Sequence, residues 1–274
     1  FPSSATVEQS LIGTVAKPFW IDDLGEEVVR YPRLAGQLEA DLVVVGGGYT
    51  GLWTALRAKE RDPGLDVVLI ESHQIGWAAS GRNGGFCVAS LTHGYENGKS
   101  RWPKELEQLE RLGLENLDGI QEAVERYGID CDFERTGEFS VAVEPHQVEW
   151  LMGDEEGGTC LDAEAMQAEV RAPTYLAGRR FDRSAAMIHP AKLAHELARV
   201  VTELGVRIFE ESPVSTLEEL PEGVRVVASA GTVKTKKVAL GTNVFPSLLK
   251  SNQLMTVPVY DYALMTEPLS DEQL

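Results

Sequence analysis

The stretch Asp41-Leu-Val-Val-Val-Gly-Gly-Gly-Tyr-Thr-Gly51 decides the fold. Its apolar, β-branched run ends abruptly at glycine, the pattern of a strand buried on both faces of a parallel sheet. Leu52, Ala55 and Leu56 then recur at helical spacing through Arg61, Asp62-Pro63-Gly64 supplies a stop, and Asp66-Val-Val-Leu-Ile70 reads as a second strand. Strand, glycine turn, helix and strand make a βαβ unit. Its right-handed crossover places the helix N-terminus at the carboxyl edge of the first strand.

Residues 46–51 satisfy G-x-G-x-x-G in the context that gives the pattern meaning. Gly46 permits the tight turn, Gly48 lets backbone approach a pyrophosphate, and Gly51 lets helix and strand pack closely. The unpaired N–H groups and partial positive charge of the helix start then face phosphate, with Tyr49 and Thr50 in the first turn. Glu71 follows Gly51 by about twenty residues and closes the second strand, where its carboxylate accepts from ribose hydroxyls and repels a 2′-phosphate. These residues predict an adenine dinucleotide site and leave FAD and NAD both open.

A second cluster, Gly76-Trp-Ala-Ala-Ser-Gly-Arg-Asn-Gly-Gly85, lies just beyond Glu71. Its glycines allow close approach, while Ser80, Arg82 and Asn83 offer hydroxyl, guanidinium and amide donors to an extended ligand. Before the first strand, Pro2, Pro18 and Pro32 mark residues 1–37 as an irregular arm whose role the sequence does not reveal. Pro103 to Tyr127 and Pro190 to Leu204 carry apolar stripes at helical spacing, stopped by Gly128 and Gly205. Phe133 to Phe139 and Ser140 to Val143 read as two strands turning at Thr136-Gly137, the start of an antiparallel sheet. Val206 to Phe209, Val224 to Ala228 and Thr232 to Leu240 read as further strands, the last running into Gly241-Thr242-Asn243.

Among the 274 residues, 43 acidic side chains against 25 basic ones give a formal charge of -18. That excess repels phosphate backbones and anionic lipid, so nucleic acid and membrane surfaces are excluded as partners. Apolar runs such as Leu42 to Val45 are too short to span a bilayer. Cys87, Cys131 and Cys160 lack metal or disulfide spacing and fit a reducing cytoplasm, with Cys87 read as a small packed thiol. His73, His93, His146, His189 and His195 show no ligand spacing, so no metal site is expected. His189, directly before Pro190, reads as a helix-start residue.

The residues resemble the D-amino acid oxidase family of FAD-dependent oxidoreductases, in the branch that includes γ-glutamylputrescine oxidoreductases. The resemblance covers Asp41 to Phe86, including the Ala79 to Gly85 stretch, then Met187 to Leu193, Gly205 to Val214 and Val238 to Asn243. It implies FAD bound in extended form, with Gly46, Gly48, Tyr49, Thr50 and Gly51 around the pyrophosphate and Glu71 on the adenosine ribose. Ser72 would lie near the adenine end, and Val214 would meet adenine through its backbone. Ser80, Arg82, Asn83, Gly84 and Gly85 would approach the pyrophosphate, ribityl chain and flavin, and Gly241 and Thr242 match a later glycine turn.

Family members take a hydride from the carbon next to a substrate nitrogen and release an imine that hydrolyses; oxidase members return the electrons to oxygen. Because the flavin carries that chemistry, no catalytic residue is assigned. Tyr260 and Tyr262 alternate on one side of an expected strand, where lining a substrate pocket and forming an ordinary aromatic sheet face are equal readings. The expected architecture is α/β, α+β overall: a doubly wound FAD-binding Rossmann-type domain (38–91 and 185–250) interleaved with an antiparallel-sheet substrate domain (92–184 and 251–274). The resemblance also predicts more chain beyond Leu274. An NAD-dependent dehydrogenase and a noncatalytic flavin-binding component are the alternatives, and the oligomeric state is not legible.

Overall fold

The structure, a computed structural model, describes residues 9, 17–25, 28–153, 157–252, 254–259, 265, 268–270 and 272. In chain order the elements are α1 (Phe19–Asp23), β1 (Gly36–Val45), α2 (Tyr49–Arg61), β2 (Val67–Ile70), β3 (Phe86–Val88), α3 (Tyr95–Arg101), α4 (Leu106–Tyr127), β4 (Glu138–Ala142), α5 (Pro145–Leu151), β5 (Thr159–Leu161), α6 (Ala163–Glu169), β6 (Ala177–Phe181), β7 (Ala185–Met187), α7 (Pro190–Glu203), β8 (Arg207–Phe209), β9 (Val214–Leu220), β10 (Gly223–Ala228) and β11 (Gly231–Leu240). The chain divides into two compact units, Phe1–Asn83 with Leu197–Leu274, and Gly84–Glu196.

The first unit is built on a six-stranded sheet in the order β8-β2-β1-β11-β10-β9. β8, β2, β1 and β11 run parallel, and β10 and β9 fold back antiparallel at the edge. The βαβ unit is present as the sequence predicts, with a β1 that starts earlier, at Gly36, because its first half pairs with β11 from Gly231 onward. Val43, Val45, Val68 and Ile70 on one face join Leu34, Val226 and Val233 in a closed core. α2 packs against β1, β2 and β11, with Leu52, Ala55 and Leu56 fully buried. Burial on both faces explains the unbroken apolar strands, at about 1.5–3 kcal/mol for each large side chain removed from water. Within this sheet β9 is the strand that the sequence reading missed; its Ser-Thr-Leu-Glu-Glu centre lacks apolar alternation because it forms a polar sheet edge.

The second unit holds a three-stranded antiparallel sheet, β4-β6-β5, and a two-stranded pair, β3-β7. Here the expected hairpin at Thr136-Gly137 does not form. Glu134 exchanges backbone hydrogen bonds with Met187 at 2.9 and 2.8 Å, whereas β4 pairs with β6. Gly137, at φ 68°, donates its N–H to Ala185 O and sends the two flanks to different partners. Long-range pairing thus overrides a turn signal that looked local. α4 stops at Gly128 in the left-handed conformation, as read from the sequence, but starts at Leu106, with the separate α3 before it. Across the start of α7, the buried His189 accepts the Lys192 N–H on Nδ1 at 3.1 Å, the helix-start role expected of it. Among the described residues no helix is long and apolar enough to cross a membrane.

Candidate nucleotide-binding site

At the carboxyl ends of β1, β2 and β11, the Gly46 N–H donates to Ile70 O and the Gly241 N–H to Val45 O, both at 2.8 Å. The first glycine turn is thereby wedged between two strand ends. Gly46 sits at φ 112°, and a Cβ there would lie 2.5 Å from Gly241 O. A Cβ on Gly51 would overlap the Gly46 carbonyl oxygen and press on Val44, so helix and turn meet at a distance that only glycine allows. Gly48 caps α2 without a side-chain hydrogen bond.

Ser80, from the second cluster, reaches across so that its Oγ accepts the Tyr49 N–H at 3.0 Å. Among the described residues the N–H groups of Gly48, Thr50 and Gly51 have no acceptor. These are the orphan donors of a helix start, and with the helix dipole they form a site for an anion.

Glu71 stands beside this turn. Its Oε2 accepts the Gly47 N–H at 2.6 Å, and its Oε1 accepts the His73 N–H at 2.8 Å and the Ser72 hydroxyl at 3.0 Å. Two backbone donors therefore hold the carboxylate in orientation. A carboxylate offers about four lone-pair sites, so one remains open on Oε2, and rotation of the Ser72 hydroxyl frees another. Clamping leaves Glu71 able to accept from a sugar hydroxyl. The backbone of the same residue is tied into the sheet end by its own N–H to Phe209 O and by the Ser212 N–H to its carbonyl.

These groups wall a cavity of about 1420 Å³, larger than the roughly 300–1,000 Å³ of most small-molecule sites and suited to an extended ligand. The structure brings to its lining Gly46, Gly48, Tyr49, Thr50, Glu71, Ser72, Ser80, Asn83, Val214, Gly241 and Thr242. Gly51 lies beneath, against Gly46. Arg82 is not among the lining residues and packs on one of them: its Nε donates to Trp77 O at 2.5 Å and its guanidinium lies over the Trp77 ring, 4.8 Å from the centroid. Gly84 and Gly85 fall in the second unit, and Tyr260 and Tyr262 lie outside the described residues.

Sequence reasoning missed an aromatic wall. The rings of His73 and Trp77 stack at 4.1 Å, and Phe245 stands 6.4 Å from Trp77. Lys250, also unforeseen, adds a cation to the lining. His73 and Trp77 had a weak signal in their nearness to Glu71 and Gly76, whereas Phe245 and Lys250 reach the cavity only through the loop after β11.

The chain matches the model of the family described as FAD dependent oxidoreductase, DAO, over residues 41–274. It belongs to that family. The match decides for FAD where the βαβ signature left NAD open. The chain is 34% identical over 256 residues to gamma-glutamylputrescine oxidoreductase of Escherichia coli, covering 88% of this chain and 58% of that protein. It is 26% identical over 212 residues to glycine oxidase of Bacillus licheniformis, covering 76% and 55%. Against the structure of L-amino acid deaminase from Proteus myxofaciens in complex with anthranilate, the TM-score is 0.64 at 21% identity, over 81% of this chain and 50% of that one, a likeness of fold. The chain thus spans somewhat more than half the length of the curated relatives named here.

Proposed function

We propose that this chain is the cofactor-binding part of an enzyme that oxidises the CH–NH bond of a small amine or amino acid, with FAD held in the cavity at the end of β1. The observation that carries the reading is the joining of unpaired N–H groups at Gly48, Thr50 and Gly51 to the clamped Glu71 carboxylate in one cavity. The N–H groups would hold the diphosphate and Glu71 the adenosine ribose, with Ser72 and the Val214 backbone toward adenine. Ser80, Asn83, Gly241 and Thr242 would border the diphosphate and ribityl chain, and Arg82, Gly84 and Gly85 would close on the flavin side. Bound FAD would supply the hydride acceptor; the protein supplies binding and orientation.

On this reading the cofactor domain comprises 38–91 and 185–250, and the substrate domain 92–184 and 251 onward, with Tyr260 and Tyr262 as substrate-pocket candidates. The similarity to gamma-glutamylputrescine oxidoreductase and glycine oxidase supports a γ-glutamyl amine or a small amino acid as substrate. Oxygen is the proposed electron acceptor, and the cytoplasmic setting rests on the scattered cysteines. The test is anaerobic mixing of the full-length flavoprotein with polyamines, γ-glutamyl polyamines, sarcosine and D-amino acids. Bleaching of flavin absorption by one class assigns the substrate, and bleaching by none overturns amine oxidation.

A further inference from the structure

The N-terminal arm, silent in the sequence, touches the cofactor cavity's wall. Within the short helix α1, Trp20 directs its indole N–H to the carbonyl oxygen of Asn83 at 2.7 Å, across a separation of 63 residues. The ring packs edge-on against Phe19, with centroids 5.1 Å apart, and Lys17, just before the helix, pairs with Asp22 at 2.7 Å. Asn83 is the knot of the second glycine cluster. Its amide donates to Ala79 O and Ser80 O, both at 3.1 Å, fastening the tight turn Ala79–Gly81. Ser80 in turn holds the Tyr49 N–H and stands 2.9 Å from where a Cβ on Gly48 would be. A continuous chain of contacts therefore runs from the indole through Asn83 and Ser80 to the first turn of α2.

We propose that Trp20 is a positioning residue for the cofactor: its N–H fixes Asn83, and through it the turn that sets the hydroxyl of Ser80 beside the phosphate-facing helix start. The ordinary role for such a residue is to glue an arm to the body, with no consequence for the ligand. The Trp20 contact differs in landing on a backbone carbonyl within the cavity's own wall. The inference rests on the reading of that cavity as the FAD site.

Trp20→Phe tests it, because an aromatic ring stays against Phe19 while the indole N–H goes together with the five-membered ring that carries it, and the apoprotein melting temperature reads the packing part of that loss. FAD dissociation constants from quenching of flavin fluorescence, the visible circular dichroism of the bound flavin, and the melting temperature of the apoprotein are measured together. The expected result is about fivefold weaker FAD binding, the size of one lost hydrogen bond, with an altered flavin dichroism and an unchanged apoprotein melting temperature. Wild-type affinity and dichroism in the variant would overturn the inference and leave the cavity assignment standing. So would weaker binding that merely follows a drop in apoprotein stability with the dichroism unchanged. Failure of the wild-type protein to bind FAD would remove both.

Discussion

Two glycine-rich stretches meet at the cavity, and they are held in opposite ways. Residues 46–51 are fixed by backbone crowding: Gly46 against Gly241, Gly51 against Gly46, each at a distance that a side chain would violate. Residues 76–85 are fixed by side chains that grip backbone: Arg82 on Trp77 O, Asn83 on Ala79 O and Ser80 O, Trp20 on Asn83 O. The first device joins the motif to the end of β11 and fails when a Cβ is added at Gly46 or Gly51. The second is divided among separate hydrogen bonds, those of Arg82 and Asn83 local and that of Trp20 from 63 residues away, and weakens one hydrogen bond at a time.

The largest effect should come from crowding the first stretch. Gly51→Ala places a methyl on the Gly46 carbonyl oxygen, and we expect a loss of about 3 kcal/mol in denaturant unfolding together with loss of measurable FAD binding. Retention of wild-type affinity would show that the backbone wedge is not what shapes the turn. Next comes the clamp. Glu71→Ala leaves the Gly47 and His73 N–H groups without their acceptor, costing about 2 kcal/mol and more than about tenfold in FAD affinity. Glu71→Gln should fall between, since an amide has one acceptor oxygen where the clamp needs two. Equal affinities for Gln and Glu would mean that only one of these bonds matters.

In the second stretch, Ser80→Ala should cost about 1 kcal/mol and a few-fold in FAD affinity, measured by the same titration, because a single acceptor for the Tyr49 N–H is removed. A loss as large as that of Gly51→Ala would erase the contrast between the two devices. The smallest effect concerns Cys87, just past the second stretch. Burial pushes its thiol pKa up, and Cys131, buried among Asp132, Asp130 and Glu196, is pushed up to about 12. A raised pKa keeps a thiol protonated as pH rises through the usual thiol range, and only the thiolate reacts. At pH 8 a thiol reagent should therefore label exposed Cys160 first, Cys87 slowly and Cys131 only after unfolding. Cys87→Ala should leave the flavin as readily extracted by acid as in the wild type.

The same contrast accounts for what could be read from the sequence. A motif whose strand, turn, helix and acid lie within about thirty residues exposes its purpose in spacing; β1, α2, β2 and Glu71 were legible for that reason. Phe245, Lys250 and Trp20 were not, because their contacts depend on which distant segments the fold brings together, and His73 and Trp77 offered only their nearness to Glu71 and Gly76. The hairpin at Gly137 illustrates the opposite error. A strong local turn signal was overruled by β6 and β7, whose pairing with its flanks no local pattern announces. β9, polar along its centre, gave no periodic signal at all.

The central claim is that the helix start after β1 holds a diphosphate and Glu71 an adenosine sugar. Titration of the apoprotein with FAD, FMN and riboflavin, followed by flavin fluorescence, tests it most directly, since the three ligands share the ring and differ only in the parts these residues would grasp. The account predicts that FAD binds at least about a hundredfold more tightly than FMN or riboflavin, because only FAD satisfies both the helix N–H groups and the carboxylate. Riboflavin or FMN binding as tightly as FAD would contradict it.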